Sequence, residues 1–550
     1  MLESLVQNDF EITIQHVMRR MRTMNAHVEV TTLRDADGSV TRSTFGEVIG
    51  RADKLANALS RLGIGPGDRV ATLCWNTAEH LEAYLAVPCM GAVLHTLNLR
   101  LAADQLAYII NHARDRVVIV DDSLVPLLEQ VLPDVAGVEH FIVVGAGDTG
   151  ALPKVLRYED LLAEQPDGFD YPALDGRAAA CLCYTSGTTG SPRGVLYGHR
   201  SVALHALAEC LNDTLDVRSS DRVLPVVPMF HANAWGLPYT CAMMGAPLVL
   251  PNRFLQAQPL LNLIEAERVT FAAAVPTIWM DVLRNGAANP RAAATLRRVV
   301  CGGAAVPRSL MQRFEEQFGV PLVQGFGMTE TSPLVAIAEA PAGCTGEQAW
   351  HYRSKTGRIS PLVEARIVDE HGAELAWDGA TPGELELRGP WIASGYYRDP
   401  SADREKFHDG WLRTGDIATI DALGYLQITD RAKDVIKSGG EWISSVEMEN
   451  ALMSHPAVLE AAVIAKPDER WTERPLPCVV VGSHTATPVE LNEHLEAHFA
   501  KWQLPDEYAF IDEVPKTSVG KFDKKVLRER LSAGRLAGRQ PLDRLRTPEK

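Results

Sequence analysis

Short apolar runs set the fold of this chain before anything else does. RVATLCW (69–75), VVIVD (117–121), FIVVG (141–145), AACLCYT (179–185), PLVLP (247–251), FAAAVP (271–276) and RRVVCGG (297–303) recur in order. Amphipathic stretches such as FGEVIGRADKLANALSRLG (45–63) lie between them. A strand with one wet face alternates polar and apolar residues. These runs do not, so both their faces are buried and the intervening helices supply the cover. The rhythm predicts an α/β protein with mostly parallel buried strands. Residues 223–251 hold no Asp, Glu, Lys or Arg, but Pro225, Pro228, Pro238, Pro247 and Pro251 interrupt them too often for a membrane-spanning helix. They read as strand and helix pieces of a large core.

The texture changes twice. From about 355, KTGRISPLVEARIVDEHGAEL and GELELRGP read as short strands with turns, a β-rich subdomain. After DRAKDVIKSGG (430–440) come strands at VLEAAVIAK and PCVVVG and a helix at PVELNEHLEAHFAKW. A chain of 550 residues exceeds what one core can organise. The expected division is a large domain, 1–431, with parallel α/β subdomains and the β-rich subdomain, and a small α+β domain, 432–550. The Arg-rich tail RERLSAGRLAGRQPLDRLRTPEK (528–550) reads as a solvated end.

The net charge of −16 excludes a general nucleic-acid binder, which needs clustered cations. A small anion needs only a local patch. The nine cysteines are scattered with no CxxC, and Cys181 and Cys183 form a lone CxC in an apolar run. They read as buried free thiols of a reducing compartment. The opening MLESLVQNDFEITIQ carries acids where a signal peptide needs a basic start, which predicts a cytoplasmic protein without stable membrane insertion.

One stretch points to chemistry. YTSGTTGSPRG (184–194) packs glycine, serine and threonine around a single Arg. The apolar run before it reads as a strand, and VLYGHRSVALHALAECL after it as a helix, so the stretch is expected to join strand to helix. Glycines permit positive φ and let backbone N–H groups converge on an anion. Hydroxyls add donors, and Arg193 adds a planar charged fork suited to phosphate oxygens. The pattern is not GxxxxGK[ST], because the cation follows the last loop glycine by three residues with Pro192 between. Polyphosphate binding explains these residue types better than a plain linker does.

YTSGTTGSPRGV is followed in order by PMFHANAW (228–235), VPTIWMDVL (275–283), CGGAAVP (301–307), QGFGMTETSP (324–333), GELELRGPWIASGYYRDP (383–400), WLRTGDIA (411–418), ITDRAKDVIKSGGEWISSVEMEN (428–450) and PKTSVGKFDKKVLR (515–528). Together, over about residues 30–528, these resemble the adenylate-forming superfamily of acyl-CoA synthetases, aryl-CoA ligases, peptide-synthetase adenylation domains and luciferases. Two positions depart from its usual form. Arg193 stands for a Lys, and Val519 precedes Gly520 and Lys521 where the motif usually reads T-G-K.

The resemblance implies a ligase that uses ATP, Mg2+ and coenzyme A. A carboxylate is a poor electrophile, since its leaving group would be oxide. Conversion to acyl-AMP with release of pyrophosphate makes AMP the leaving group, and a thiol can then attack. Carried over position by position, Thr185, Ser186, Gly187, Thr188, Thr189, Gly190 and Arg193 hold phosphates. Gly302, Gly303 and Ala304 offer backbone beside the adenine. Gln324, Gly325, Phe326, Gly327 and Met328 line the nucleotide, with Gly325 and Gly327 leaving room for ligand atoms. Thr329 touches the α-phosphate, and Glu330, with Thr185, contacts Mg2+. Asp416, read as an acid in a turn, accepts the ribose hydroxyls, with Ile428 and Arg431 beside it. Lys521 places an ammonium between the attacking carboxylate and the α-phosphate. The resemblance also implies that the small domain turns about Lys433, so that a pantetheine channel at Gly439 and Gly440 replaces Lys521. Lys437, Trp442 and Glu473 are candidates to line the coenzyme A path.

For the acyl pocket the candidates are His231, Trp235, Gly303, Gly327 and Trp391. His231, also a catalytic candidate, and Trp235 are four apart and share a face if the segment is helical. HxNAW followed by LPY, with KSGGEWISSVE, looks more like medium- and long-chain fatty acyl-CoA synthetases than aryl ligases. The same branch includes 3-methylmercaptopropionate-activating enzymes, and Trp391 could confine a short acid. Transfer to a separate carrier protein is the nearest alternative. A luciferase-like oxygenase has no support in the residues, and a nucleotide binder without catalysis fits poorly with the presence of Lys521, Glu330 and Asp416. A homodimer is plausible by family.

Overall fold

A computed structural model describes residues 4–7, 9–185, 191–287, 289–431, 434–438, 441–482, 486–517 and 522–542, the side chains of Glu441 and Trp442 excepted. Each apolar run named above becomes a strand. One sheet runs Val155–Arg157, His140–Val144, Asp115–Asp121, Arg69–Leu73, Val93–Thr96, Ala179–Tyr184, Gly194–Gly198. It is parallel except for its last pair. A second sheet has the parallel strands Glu29–Leu33, Leu248–Leu250, Val223–Pro225, Phe271–Ala274, Arg298–Gly302 and Leu322–Gly327.

Helix Ala78–Cys89 buries every residue but Glu79. One apolar cluster runs through it, taking Val70 and Leu94 from the first sheet, Leu81, Tyr84 and Leu85 from the helix, and Val30, Leu248 and Phe271 from the second. The predicted helix at 45–63 spans Phe45–Arg61. Thr44 and Glu47 start it as a capping box, with the Glu47 N–H donating to Thr44 Oγ1 at 3.2 Å and the Thr44 N–H to Glu47 Oε2 at 2.7 Å.

The structure corrects several expectations. The loop after Tyr184 does not lead into a helix; it closes a hairpin between Ala179–Tyr184 and Gly194–Gly198, and the helix begins at His199. Val195 and Tyr197 are buried while Leu196 is 40% exposed, a period-2 pattern that belongs to a strand. The expected β-rich subdomain is present, as an extension of the second sheet. Leu334–Ile337, Gly357–Ile359, Tyr425–Arg431, Trp411–Ile420, Gly383–Arg388 and Glu364–Val368 continue the second sheet in antiparallel pairs. The helix expected at 488–502 ends at Leu495. The tail is tied down in part: Arg539–Pro541 pairs with Glu507–Phe510, and Arg539 Nε lies 2.6 Å from Glu507 Oε1.

A third sheet holds Glu441–Ile443, Ile436–Ser438, Thr472–Val481, Glu507–Phe510 and Arg539–Pro541, with Val458–Asp468 paired to Thr472–Val481. It has its own apolar cluster around Ile436, Ile443, Leu452, Val463 and Tyr508. The chain thus leaves the second sheet at Arg431 and enters the third at Ile436. All nine cysteines are free. Among the described residues, no helix is long and apolar enough to cross a membrane.

Candidate active site

Strands Phe271–Ala274, Arg298–Gly302 and Leu322–Gly327 run parallel, with Gly302 opposite Gly325. Ligands of open α/β sheets sit beyond such carboxyl ends. Two loops leave this edge. The first, after Gly302, turns at Gly303 with φ +86°. It is held by the Gln324 amide, whose Oε1 accepts the Val306 N–H at 2.7 Å while its Nε2 donates to the Lys355 carbonyl at 3.1 Å. Gln324 is therefore buried and positions the loop; Gly303 is half-buried and Ala304 exposed. The second loop carries Met328, Thr329 and Glu330. The Met328 N–H donates to Thr331 Oγ1 at 2.9 Å, and Thr329 and Glu330 are each 7% exposed.

The glycines here serve close packing of the chain itself. A Cβ at Gly302 would lie 2.8 Å from the Gly325 carbonyl oxygen and 3.1 Å from the Trp235 ring. One at Gly325 would meet Ile337 Cδ1 at 3.1 Å, and one at Gly327 would fall 1.5 Å from the Pro333 carbonyl oxygen. The room expected at Gly325 and Gly327 is taken by the protein. Phe326 is half-buried and packs against the core.

Three stretches far apart in sequence are sewn together beside this edge. The loop 186–192 has a closed neck, where the Thr185 N–H donates to the Arg193 carbonyl at 2.9 Å and the Arg193 N–H to Thr185 Oγ1 at 3.3 Å. From the hairpin, Tyr197 Oη donates to the Thr329 carbonyl at 2.6 Å, and the Gly194 carbonyl accepts the Tyr397 N–H at 2.7 Å. The Ala393 N–H donates to the Glu330 carbonyl at 2.8 Å, and Tyr396 Oη donates to Glu330 Oε1 at 2.7 Å. Burial and the neighbouring Glu330 push the Tyr396 phenol well above its usual range, so it stays a neutral donor. The Arg193 guanidinium lies 5.3 Å from the Tyr396 ring centroid.

Asp416 is buried on strand Trp411–Ile420, not in a turn; the preceding Gly415 has φ +77° and the pairing register shifts just beyond Asp416. Arg431 stands opposite, its Nε 3.0 Å from Asp416 Oδ1. Asp416 raises the Arg431 pKa most, with Asp434, Glu330 and Asp430 adding to it against the opposing effect of burial. The Ile428 N–H donates to Thr356 Oγ1 at 2.9 Å.

Of the acyl-pocket candidates, His231 and Trp235 do not share a right-handed helical face. Asn233, Ala234 and Trp235 take left-handed angles (φ 46°, 53° and 56°), and the half-buried Trp235 ends against Gly302. Trp391 is 1% exposed, with its indole N–H on the Leu334 carbonyl at 2.9 Å and its ring edge-on to His205 at 6.0 Å. The Ser332 hydroxyl donates to the Trp391 carbonyl at 2.7 Å.

In the small region the structure brings Lys437 and Glu473 together, the Lys437 N–H donating to Glu473 Oε2 at 2.7 Å. Ser186, Gly187, Thr188, Thr189, Gly190, Lys433, Gly439, Gly440, Lys521 and the Trp442 side chain lie outside the described residues. The geometry adds residues that motif reading missed. Tyr396 sits inside GYYRDP, but nothing in the motif distinguishes it from Tyr397. Tyr197 carries no signal in the sequence, since its strand Gly194–Gly198 is apolar throughout and its alternation shows only in burial. A surface cavity of about 670 Å³ at Arg222, Glu267 and Arg268 shares none of these residues.

The family model described as AMP-binding enzyme matches residues 21–397, and that of the AMP-binding enzyme C-terminal domain matches 447–521. The chain belongs to the AMP-binding enzymes. It is 48% identical over 526 residues to the long-chain-fatty-acid–CoA ligase of Thermus thermophilus, covering 95% of this chain and 96% of that one. It is 45% identical over 504 residues to the 3-methylmercaptopropionyl-CoA ligase of Ruegeria lacuscaerulensis, covering 90% and 93%. The crystal structure of the anthranilate CoA ligase AuaEII with anthranoyl-AMP superposes with a TM-score of 0.85 at 27% identity, over 96% of this chain and 99% of that one. This AMP-binding enzyme is an acyl-CoA ligase, with ATP and coenzyme A as substrates and acyl-AMP as the intermediate.

Proposed function

We propose that this ligase activates an aliphatic acid, either a medium- or long-chain fatty acid or a short thioether acid of the 3-methylmercaptopropionate kind, at the seam around Glu330. The carrying observation is that seam: Thr185, Arg193, Thr329 and Glu330 come from distant stretches and are drawn together by Tyr197, Ala393, Tyr396 and Tyr397. Relatives at 43–48% identity that are named for fatty acids, and at 44–45% for 3-methylmercaptopropionate, support the acid class.

In the first step a carboxylate oxygen attacks the α-phosphorus and the bond to pyrophosphate breaks. Arg193 and the loop hold phosphate oxygens, Asp416 takes the ribose hydroxyls, and Lys521 meets the charge that develops at the α-phosphate. In the second step the coenzyme A sulfur attacks the acyl carbonyl and AMP leaves. The residues fit Mg2+: a buried carboxylate and a hydroxyl are the oxygen donors a small hard cation takes alongside water and phosphate. Glu330 and Thr185 would hold it, and when bound it neutralises charge on the departing pyrophosphate. Residues 432–550 would turn about Lys433 between the steps, with Lys437 and Glu473 on the coenzyme A side.

The test is AMP release across short, medium, long and aromatic acids, with and without coenzyme A. Coenzyme-A-dependent turnover highest on aliphatic acids is expected. A preference for aromatic acids would reject the acid class, and turnover indifferent to coenzyme A would reject the acceptor.

A further inference from the structure

Glu330 is a carboxylate in a nearly dry place, and such a group has a defined direction only if a donor fixes it. Tyr396 Oη supplies that donor at 2.7 Å on Oε1; among the described residues Oε2 takes no hydrogen bond. The phenol is in turn fixed from three sides. Its backbone N–H donates to Asp403 Oδ1 at 2.6 Å, its ring meets Phe407 edge-on at 5.4 Å, and the Arg193 guanidinium lies over it.

Arg193 reaches this place from the neck of the phosphate loop. Its remaining contacts are loose, with Nη2 3.4 Å from Glu405 Oε2 and Nε 3.9 Å from Asp399 Oδ2. Both acids belong to the short helix Pro400–Lys406, Asp399 as its cap. A planar guanidinium can lie on a ring and face two carboxylates at once; a lysine ammonium at this position could not do all three. The Arg that departs from the usual Lys is therefore matched by its surroundings.

We propose that Tyr396 is a positioning residue for Glu330, aiming Oε2 at the metal–phosphate site, and that Arg193 couples the phosphate loop to that aim through the Tyr396 ring. This rests on the reading of Glu330 as a Mg2+ contact. The phenol supplies one hydrogen bond to an ionised group, so its loss alone is worth about tenfold in the affinity that Glu330 confers.

Three variants test it: Tyr396→Phe, Arg193→Lys and Glu330→Gln. Acyl-AMP formation is followed as Mg2+ is varied, Mg·ATP binding is measured by calorimetry, and melting is recorded. Tyr396→Phe keeps the ring and is expected to raise the Mg2+ needed for half-maximal rate about tenfold and to weaken Mg·ATP binding alike, with the KM for acid unchanged. Arg193→Lys is expected to lower the Mg2+ effect of Tyr396→Phe in the double variant below the sum of the two single effects. An unchanged Mg2+ requirement in Tyr396→Phe, whatever happens to melting, overturns the positioning role. If Glu330→Gln also leaves the Mg2+ requirement unchanged, the metal assignment itself fails; if only Tyr396→Phe does, that assignment stands and this inference alone is lost.

Discussion

The seam around Glu330 and the junction around Asp430 join distant pieces of chain in opposite ways. The seam uses neutral donors and backbone carbonyls: Tyr197 on Thr329 at 2.6 Å, Tyr397 N–H on Gly194 at 2.7 Å, Ser332 on Trp391 at 2.7 Å. Its buried carboxylate, Glu330, is held by the neutral Tyr396 phenol, and Arg193 stands at the rim. The junction is made of charges. Asp430 Oδ2 accepts both the N–H and the hydroxyl of Ser445 at 2.7 Å each. Lys524 Nζ lies 2.6 Å from Ser445 Oγ and 2.7 Å from Glu449 Oε1, and Arg528 pairs with Asp434. A buried neutral bond is lost outright when its partner leaves, so the seam has one favourable geometry. Ionised groups regain strong hydration when they part, so the junction can open into water at smaller net cost. A fixed frame and a workable joint are what the proposed turn of residues 432–550 between the two steps would need.

The largest effect should come from the segment that residues 432–550 would bring to the site in the turn proposed above. Residues 516 and 522 pair across the segment holding Lys521, and Lys524 ties the next helix, Lys524–Ser532, to Glu449. Lys521→Ala removes an ammonium that the frame does not replace. Acyl-AMP formation is expected to fall by about 10²–10³. Thioester synthesis from supplied acyl-AMP should stay near wild type, since the frame is intact. Pyrophosphate exchange and thioester release, measured separately, decide it; an equal loss in both steps would show that Lys521 serves the frame.

Acid should load the buried frame next. His80 is buried under the first sheet, its Nδ1 3.0 Å from the Trp75 carbonyl and its Nε2 2.9 Å from the Thr72 hydroxyl. A carbonyl only accepts, so Nδ1 carries the proton and the ring is neutral. Burial lowers its pKa from 6.5 to about 4. Between those values the unfolded chain binds more protons, so stability rises with pH, is fully present above 6.5, and is lost as pH falls toward 4. At about 1.4 kcal/mol per pH unit the loss from His80 alone is on the order of 3 kcal/mol. His199 is lowered to about 4 in the same way. Burial raises the Glu82 pKa to about 7 on the same helix as His80, and raises the Glu449 pKa in the small region against the pull of Lys524; those contributions run the other way, lost as pH rises. Urea midpoints between pH 7 and 4 should therefore fall more for wild type than for His80→Gln. Parallel curves would remove the histidine from the account.

The frame was mostly legible in the sequence, and the joint was not. Buried strands read directly because their apolar runs need no partner to be recognised. The hairpin after Tyr184 is not legible because Val195, Leu196 and Tyr197 are all apolar, so no alternation marks the strand ahead of the longer helical stretch. Spacing placed His231 and Trp235 on one face only by assuming a right-handed helix, and the left-handed turn has just Gly236, at φ +82°, as a local cue. Motif resemblance reached Glu330, Asp416 and Arg431, which the structure sets among one another's charges. It could not reach their orienters. Tyr396 lies 66 residues from Glu330, and Lys524 lies 79 from Ser445, and no local pattern spans such distances.

The smallest effect tests the joint itself. Asp430→Ala leaves the Ser445 N–H without its acceptor at the start of helix Ser445–Ser454, and takes from Lys524 one of the carboxylates that raise its pKa against burial. The Ser445 N–H is then a buried donor without its acceptor, and a shift of about fivefold between the two half-reactions is expected, close to 1 kcal/mol. The acid KM should not move, because Asp430 reaches the nucleotide side, its Oδ1 accepting the Arg431 N–H at 2.7 Å, and among the described residues has no hydrogen bond to the acyl-pocket candidates. Asp430→Asn keeps an acceptor oxygen and should restore part of the balance. If Asp430→Ala instead slowed both steps equally, or raised the acid KM, the contacts at Asp430 would belong to the frame, and the contrast between a rigid site and an ionic joint would have to be drawn elsewhere in the molecule.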